Sequence, residues 1–385
     1  MKKRLKLVYV PLRFSPEFGG PFYNLFFELS KYIDVVCVSA GFEHGIKKTE
    51  DEVLNPHFRI RRFSYNSFPL KKDILIPTNL KKILDEEKPD IVQSDEFYRV
   101  TSLQAGKWCI KNKIPFVLSS RMRYRSGFFR NFMIWIFKIL SRDVVGYSSK
   151  VIATQGACSR DEFLRWFPKK KKDILMASTG LDVELFTKSK GAYDFKKKFG
   201  IPRNKKIILN VARIYPVKRL DLSLKVFALV KKKFPDCVFV NVGSAEEKER
   251  KKLDNVMQKY NLKIGQDVFF VGGIENKKLG PAYNAADVFI NTSETEGICF
   301  SFLEAMAFKL PIVAFDVGGN SGVVENGKNG YLKKFGDVNG VSESILEILE
   351  NDKFRETLGN EGYKRLNKEF DIKKNVKKLL GVYGR

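Results

Sequence analysis

Two carboxylates eight residues apart, Glu296 and Glu304, flank a short loop that runs into a helical pattern. The stretch reads Glu296-Gly297-Ile298-Cys299-Phe300-Ser301-Phe302-Leu303-Glu304. A loop feeding a helix start can hold an anion, because free backbone N–H groups point outward and the helix dipole favours negative charge. A carboxylate on either side can then accept hydrogen bonds from sugar hydroxyls around that anion. The combination suits a nucleotide sugar: a diphosphate in the middle, ribose and hexose hydroxyls on its flanks. Two cations add to it. Arg213 and Lys218 lie just after the β-branched run 206–211. Arg supplies a planar fork and Lys a point charge, a pair able to clamp a diphosphate. Taken alone, this motif reads as an ordinary basic loop.

Glycines mark further places where backbone can approach a ligand. Gly19-Gly20 follows the first strand pattern and precedes a helix, although no third glycine completes a dinucleotide fingerprint. Gly243 and the Gly272-Gly273-Ile274 turn each end a strand pattern, where backbone groups could bond a nucleobase edge. A tight strand exit explains either of them equally well. Asp-x-Asp, a pair that often holds a metal on a diphosphate, is absent; with Arg213, Lys218 and a helix start available the charge can be met without it, and no metal is expected. The two histidines, His44 and His57, fall in a polar stretch and are expected to face solvent, which argues against a histidine-based nucleophilic triad. No P-loop and no G-x-S-x-G is present.

These residues need a scaffold, and the chain is long enough for two. With 385 residues and 44% hydrophobic content it suits two domains. Strand patterns over 5–10, 35–39, 90–93, 116–119, 151–154 and 173–176 alternate with helical ones. A polar segment, 189–204, follows, and then the alternation restarts at 206–211. Such alternation predicts two parallel, doubly wound sheets, with ligands at the carboxyl ends of their strands. Five widely spaced cysteines without a C-x-x-C pair argue against a disulfide framework or zinc site and for a reducing compartment. No apolar run reaches the roughly 20 residues of a membrane span. The basic start reads as a first buried strand and not as a signal peptide.

In this order the motifs resemble the family-4 retaining glycosyltransferases of GT-B fold. The resemblance rests on Gly19-Gly20, Thr179-Gly180-Leu181-Asp182 with Phe186, Ala212-Arg213 through Lys218, and Val271-Gly272-Gly273. It continues through Glu296 to Glu304 with Glu-Ala-Met-Ala, and Gly318-Gly319. It implies an α/β fold of two doubly wound Rossmann-like domains with an interdomain cleft. Residues 1–183 would bind acceptor and 184–369 the nucleotide sugar, with a final helix, 370–385, packing back on the first domain. By resemblance, Glu296 contacts the donor sugar, Glu304 binds ribose, and Arg213 and Lys218 stabilise the leaving diphosphate. Backbone groups of Ile298, Cys299 and Phe300 help hold phosphate, Gly243, Gly273 and Ile274 line the donor, and Gly19-Gly20 caps it. Three positions depart from the pattern: Lys309 stands where the family usually has glycine, Gly322 where it has an acidic residue, and Ser120-Arg121 where it often has a histidine. Arg121 could take part of that histidine's role on the acceptor side by holding a phosphate.

The formal net charge of +26 favours polyanionic company. Residues 121–142 mix aromatic and aliphatic residues with flanking cations, as in helices that lie in a membrane interface. The expectation is an enzyme on the inner face of the cell membrane, acting on a glycan or lipid-linked acceptor, with no cofactor beyond its substrate. Two alternatives remain open. One is a soluble phosphorylase or epimerase on the same fold, which a shortage of histidines disfavours. The other is a basic nucleic-acid binder, which lacks any recognition signature and leaves Glu296 and Glu304 without a purpose, so no specific nucleic acid is expected.

Overall fold

A computed structural model describes residues 4–14, 21–43, 46–47, 50–68, 71–121, 128–154, 156–189, 191, 193–245 and 247–384. The chain forms two units, Met1–Gly180 with Ile372–Arg385, and Leu181–Asp371.

In the first unit the described residues build an eight-stranded sheet. Its order is Ile174–Met176, Lys150–Ala153, Phe116–Ser120, Ile91–Asp95, Lys6–Val10, Asp34–Ala40, Phe58–Phe63, Glu52–Asn55. Every pairing is parallel except the last. Parallel strands are covered on both faces, so their sequences read as nearly unbroken apolar runs. The two-residue alternation then sorts side chains by face. Val8 and Val10 join a core with Leu84, Trp108 and Phe163, while Leu7 and Tyr9 join another with Phe26 and Leu29. The terminal helix Ile372–Val382 completes that second core through Ile372, Val376 and Leu379. Behind it, the Tyr383 hydroxyl donates to Gln93 Oε1, and Asn375 Nδ2 donates to Ser178 Oγ at 3.2 Å.

The second unit carries a six-stranded parallel sheet in the order Val268–Phe270, Cys237–Val242, Lys206–Val211, Val288–Asn291, Ile312–Phe315, Gly330–Lys333. Chain order reverses between Lys206–Val211 and Val288–Asn291. That reversal is a topological switch point, where loops leave in opposite directions and open a crevice at the strands' carboxyl ends. The first unit has its own reversal, between Lys6–Val10 and Ile91–Asp95.

Lys309 shows how the chain copes with a departure from the family pattern. The helix Phe300–Ala307 ends in a doubly bonded cap, with Leu310 N–H donating to Ala305 O and Lys309 N–H to Met306 O, both at 3.0 Å. This geometry needs a left-handed residue, and Lys309 supplies it at φ 56°. Side chains resist that conformation, so Lys309→Gly is expected to stabilise the fold by about 1 kcal/mol. Chemical denaturation would measure it, and an unchanged or lowered midpoint would contradict the cap's strain. At Gly322, by contrast, an added side chain would meet open space, so packing does not demand glycine there.

Candidate functional site

The loops after the two switch-point strands of the second unit carry Arg213 with Lys218 and Glu296. They are laced together. Glu294 N–H donates to Val217 O at 2.9 Å, and the Thr292 hydroxyl donates to Arg219 O at 2.9 Å. This lacing brings Lys218 Nζ to 2.7 Å from Glu296 Oε1. Asn291 Nδ2, at the end of its strand, donates to the same oxygen at 3.3 Å and its Oδ1 accepts from Ser293 N–H at 3.0 Å. Glu296 is buried and Lys218 about a quarter exposed. The cation expected on a diphosphate is therefore paired with the carboxylate expected on the sugar. Arg213 stands apart: it is exposed, and among the described residues its guanidinium has no partner.

Backbone crowding fixes the Glu296 loop from the other side. A Cβ on Gly318 would sit 1.9 Å from Glu296 O, and one on Gly319 2.4 Å from Gly297 O. Gly319 N–H donates to Glu296 O at 3.2 Å. The loop then enters the helix Phe300–Ala307, whose start has no side-chain cap. Among the described residues, the N–H groups of Ile298, Cys299 and Phe300 donate to no backbone carbonyl. Burial pushes the Cys299 thiol up to about 12, with Glu296 adding to the effect, so the thiol stays protonated.

Glu304 lies one turn further along that helix and is also buried. Its two oxygens accept from the Asn276 amide at 2.7 Å and the Tyr283 hydroxyl at 2.6 Å. Burial raises its pKa, and these two hydrogen bonds lower it. Tyr283 is itself held between Phe289 and Phe308, at ring separations of 6.0 and 5.9 Å. Gly243 serves the scaffold: its Cβ would fall 2.1 Å from Ala212 O, and its N–H donates to Gly272 O at 2.8 Å. In the next turn the left-handed conformation belongs to Gly272, at φ 76°, while an added Cβ at Gly273 would make ordinary contacts. Ile274 packs partly buried against the core.

In the first unit, Ser120 is fully buried at the end of its strand, and Arg121 follows it. The Arg121 guanidinium pairs with Asp95 and lies over the Phe22 ring at 4.5 Å. Asp95 also accepts from the Tyr9 hydroxyl at 2.7 Å and the Ser119 hydroxyl at 2.6 Å. Gly19 and Gly20 lie outside the described residues, as does His44. His57 is exposed, its Nδ1 2.8 Å from Asp34 Oδ1. Sequence reasoning missed Asn276, Tyr283, Asn291, Asp95 and Glu96. Asn276 and Tyr283 reach Glu304 from 28 and 21 residues away and leave no spacing signal, whereas Asn291 lies five residues before Glu296.

Residues 193–365 match the family described as glycosyl transferases group 1. The second unit is a glycosyl transferases group 1 domain. Along the whole chain the fold is GT-B. It resembles HepE from Anabaena, solved in complex with UDP, with a TM-score of 0.77 at 17% identity over 99% of this chain and 100% of that one. In sequence, the chain is 26% identical over 216 residues to the N-acetyl-alpha-D-glucosaminyl L-malate synthase of Bacillus anthracis, covering 56% of this chain and 54% of that relative. The chain thus spans about half the length of this curated relative. It is 25% identical over 327 residues to an Escherichia coli UDP-Gal:alpha-D-GlcNAc-diphosphoundecaprenol alpha-1,3-galactosyltransferase, covering 82% of this chain and 80% of that relative. Within the group 1 domain, the Lys218–Glu296 pair and Glu304 form the candidate site.

Proposed function

We propose that the chain is a retaining glycosyltransferase that moves a sugar from a nucleoside diphosphate to a hydroxyl acceptor without a divalent ion. The observation that carries this reading is the Lys218–Glu296 pair beside an uncapped helix start at the switch point of the group 1 domain. The costly event in such a reaction is departure of the diphosphate while positive charge grows on the sugar ring. Lys218, Arg213 and the N–H groups of Ile298, Cys299 and Phe300 offset the leaving charge. Lys218 exchanges Glu296 for phosphate when donor enters, which frees the Glu296 carboxylate for the sugar's hydroxyls. Glu304, pre-oriented by Asn276 and Tyr283, takes the ribose. The bound UDP of HepE supports a uridine nucleotide as the first donor to test. A thermal-shift panel of UDP-, GDP- and ADP-sugars in EDTA checks the reading. One member at a hundredfold excess over its Kd stabilises the fold by about 2.7 kcal/mol. No shift with any of them would contradict it.

The acceptor in this reading is lipid-linked, in keeping with the diphosphoundecaprenol substrate in the name of the Escherichia coli relative. The helix Phe128–Leu140 supports a peripheral membrane position on the inner face of the cell membrane. Ile134 is buried in the core, while Phe132, Trp135 and Ile139 are 48%, 51% and 56% exposed along one helical face. Residues 122–127 of the basic flank lie outside the described residues, but Lys138 sits in the helix's last turn and Arg142 opens the next helix, Arg142–Tyr147. No helix among the described residues is long and apolar enough to cross a membrane. An anionic bilayer complements both the aromatic face and the charge of +26. Flotation with anionic vesicles at low salt should carry wild type upward and leave a Phe132→Ser, Trp135→Ser protein largely behind. Equal flotation of the two would contradict membrane docking through this helix.

A further inference from the structure

The proposed reaction needs the Glu296 carboxylate aimed at the sugar, and its Oε1 has two donors of different kinds. Lys218 Nζ lies at 2.7 Å and its side chain is about a quarter exposed. Asn291 Nδ2 lies at 3.3 Å, on the last residue of the strand Val288–Asn291. That residue pairs in register with Ala314 and is 2% exposed. A lysine ammonium is a point charge on a flexible stem and re-aims readily. An amide buried at a strand end has no such freedom.

Every polar atom of the Asn291 amide has an assignment. Its Oδ1 accepts from Ser293 N–H at 3.0 Å, which fixes the end of the amide that faces the site. Its Nδ2 donates to Glu296 Oε1 and, at 3.6 Å, to Cys299 Sγ. Cys299 is the N-cap residue of the helix Phe300–Ala307. One side chain therefore ties together a strand end, the carboxylate expected on the sugar and the helix start expected on the phosphate. The three partners lie two, five and eight residues away, so the tie is local to this loop.

The exchange of partners in the reaction gives the tie its use. When donor enters, Lys218 leaves Glu296 for the diphosphate. Glu296 is then a buried carboxylate whose remaining donor, among the described residues, is the Asn291 amide. Without that donor a buried carboxylate is costly to keep and free to turn. We propose that Asn291 is a positioning residue: it holds Glu296 Oε1 in place once Lys218 has moved to phosphate, and leaves the other oxygen for the sugar's hydroxyls. The proposal rests on the glycosyltransferase reading, because it concerns that site with donor bound. Asn291 acts through Glu296 and not on the donor itself.

Two variants test this. Asn291→Leu removes the donor and keeps a buried side chain of similar size. Asn291→Asp keeps the shape and the oxygen for Ser293 N–H, but turns a second carboxylate toward Glu296. The probes are UDP, for affinity by calorimetry, and UDP-glucose, UDP-galactose and UDP-N-acetylglucosamine, for release of UDP. In Asn291→Leu the Kd of UDP should stay within about threefold of wild type, since UDP brings no sugar for Glu296 to hold, while kcat with the UDP-sugar falls by about tenfold or more. Asn291→Asp should lose as much at about pH 8 and recover part of it toward about pH 5, because two adjoining carboxylates share a proton that restores a hydrogen bond between them. The other titratable groups facing that pair are Lys218 and Cys299. A residue that merely holds the fold would weaken UDP binding and turnover together and give the aspartate variant no recovery in acid. Either result would overturn the proposal, as would a wild-type kcat in Asn291→Leu, and the donor reading would stand. Wild type that fails to bind UDP, or releases it from none of the UDP-sugars, would overturn the uridine donor reading and the proposal with it.

Discussion

Lys218→Ala protein is expected to turn over its donor about 10²–10³-fold more slowly than wild type, the effect of removing one preorganised charge from a leaving group, roughly 3–4 kcal/mol. Two consequences separate this from a general loss of fold. Without Lys218, Glu296 keeps, among the described residues, only the Asn291 amide at 3.3 Å for a buried carboxylate. The variant should therefore lose about 1–3 kcal/mol of stability as well, the cost of an unpaired buried group. Adding Glu296→Gln removes the stranded charge. The double variant should recover much of that stability and none of the activity. Restored turnover in the double variant, or near-normal turnover in Lys218→Ala, would show that the pair is structural and that the diphosphate lies elsewhere.

Glu96→Gln should make the protein more stable in mild alkali. The sign follows from linkage. A carboxyl whose pKa is raised to about 7 in the folded chain, against an ordinary value near 4.5, binds its proton more tightly when folded. The stability this brings is complete below about 4.5 and is lost as pH rises through about 7. Wild type should therefore be weaker at pH 8 than at pH 4.5 by roughly 3 kcal/mol from this group, and glutamine, which never ionises, should be spared that loss. Urea midpoints of the two proteins at both pH values measure it. Parallel midpoints would mean that Arg121 and Arg99 hold Glu96 ionised throughout.

The Lys218–Glu296 cluster of the second unit was legible in the sequence because its residues sit on loops next to their strands. Lys218 and Glu296 each follow a strand of the switch point by a few residues, so spacing alone placed them near one carboxyl edge. Their pairing with each other was not legible. It depends on the cross-loop bonds of Glu294 and Thr292, which join residues some 75 positions apart. The orientation of Glu304 by Asn276 and Tyr283 was hidden for the same reason. In the first unit the strand Phe58–Phe63 escaped notice because three of its six residues are arginines. Phe58 and Ile60 do point into the core. Arg59 and Arg61 face Glu87, and Arg62 is buried against Glu52, Ser39 and the Phe14 carbonyl, so burial of charge mimics a loop in the sequence. Glu96 was invisible for a different reason. Asp95-Glu96 is an unremarkable pair until the backbone turns left-handed and one oxygen is left without a partner.

On the proposed function, the pyrophosphate of a nucleotide sugar sits at the switch point of the group 1 domain, neutralised by Lys218, Arg213 and the helix start without a divalent ion. Calorimetric titration of UDP into wild type and Lys218→Ala, both in EDTA, tests it most directly. Binding to wild type is expected to survive chelation and to weaken by roughly tenfold or more in the variant. Equal affinity for both proteins, or binding that appears only when a divalent cation is restored, would contradict it.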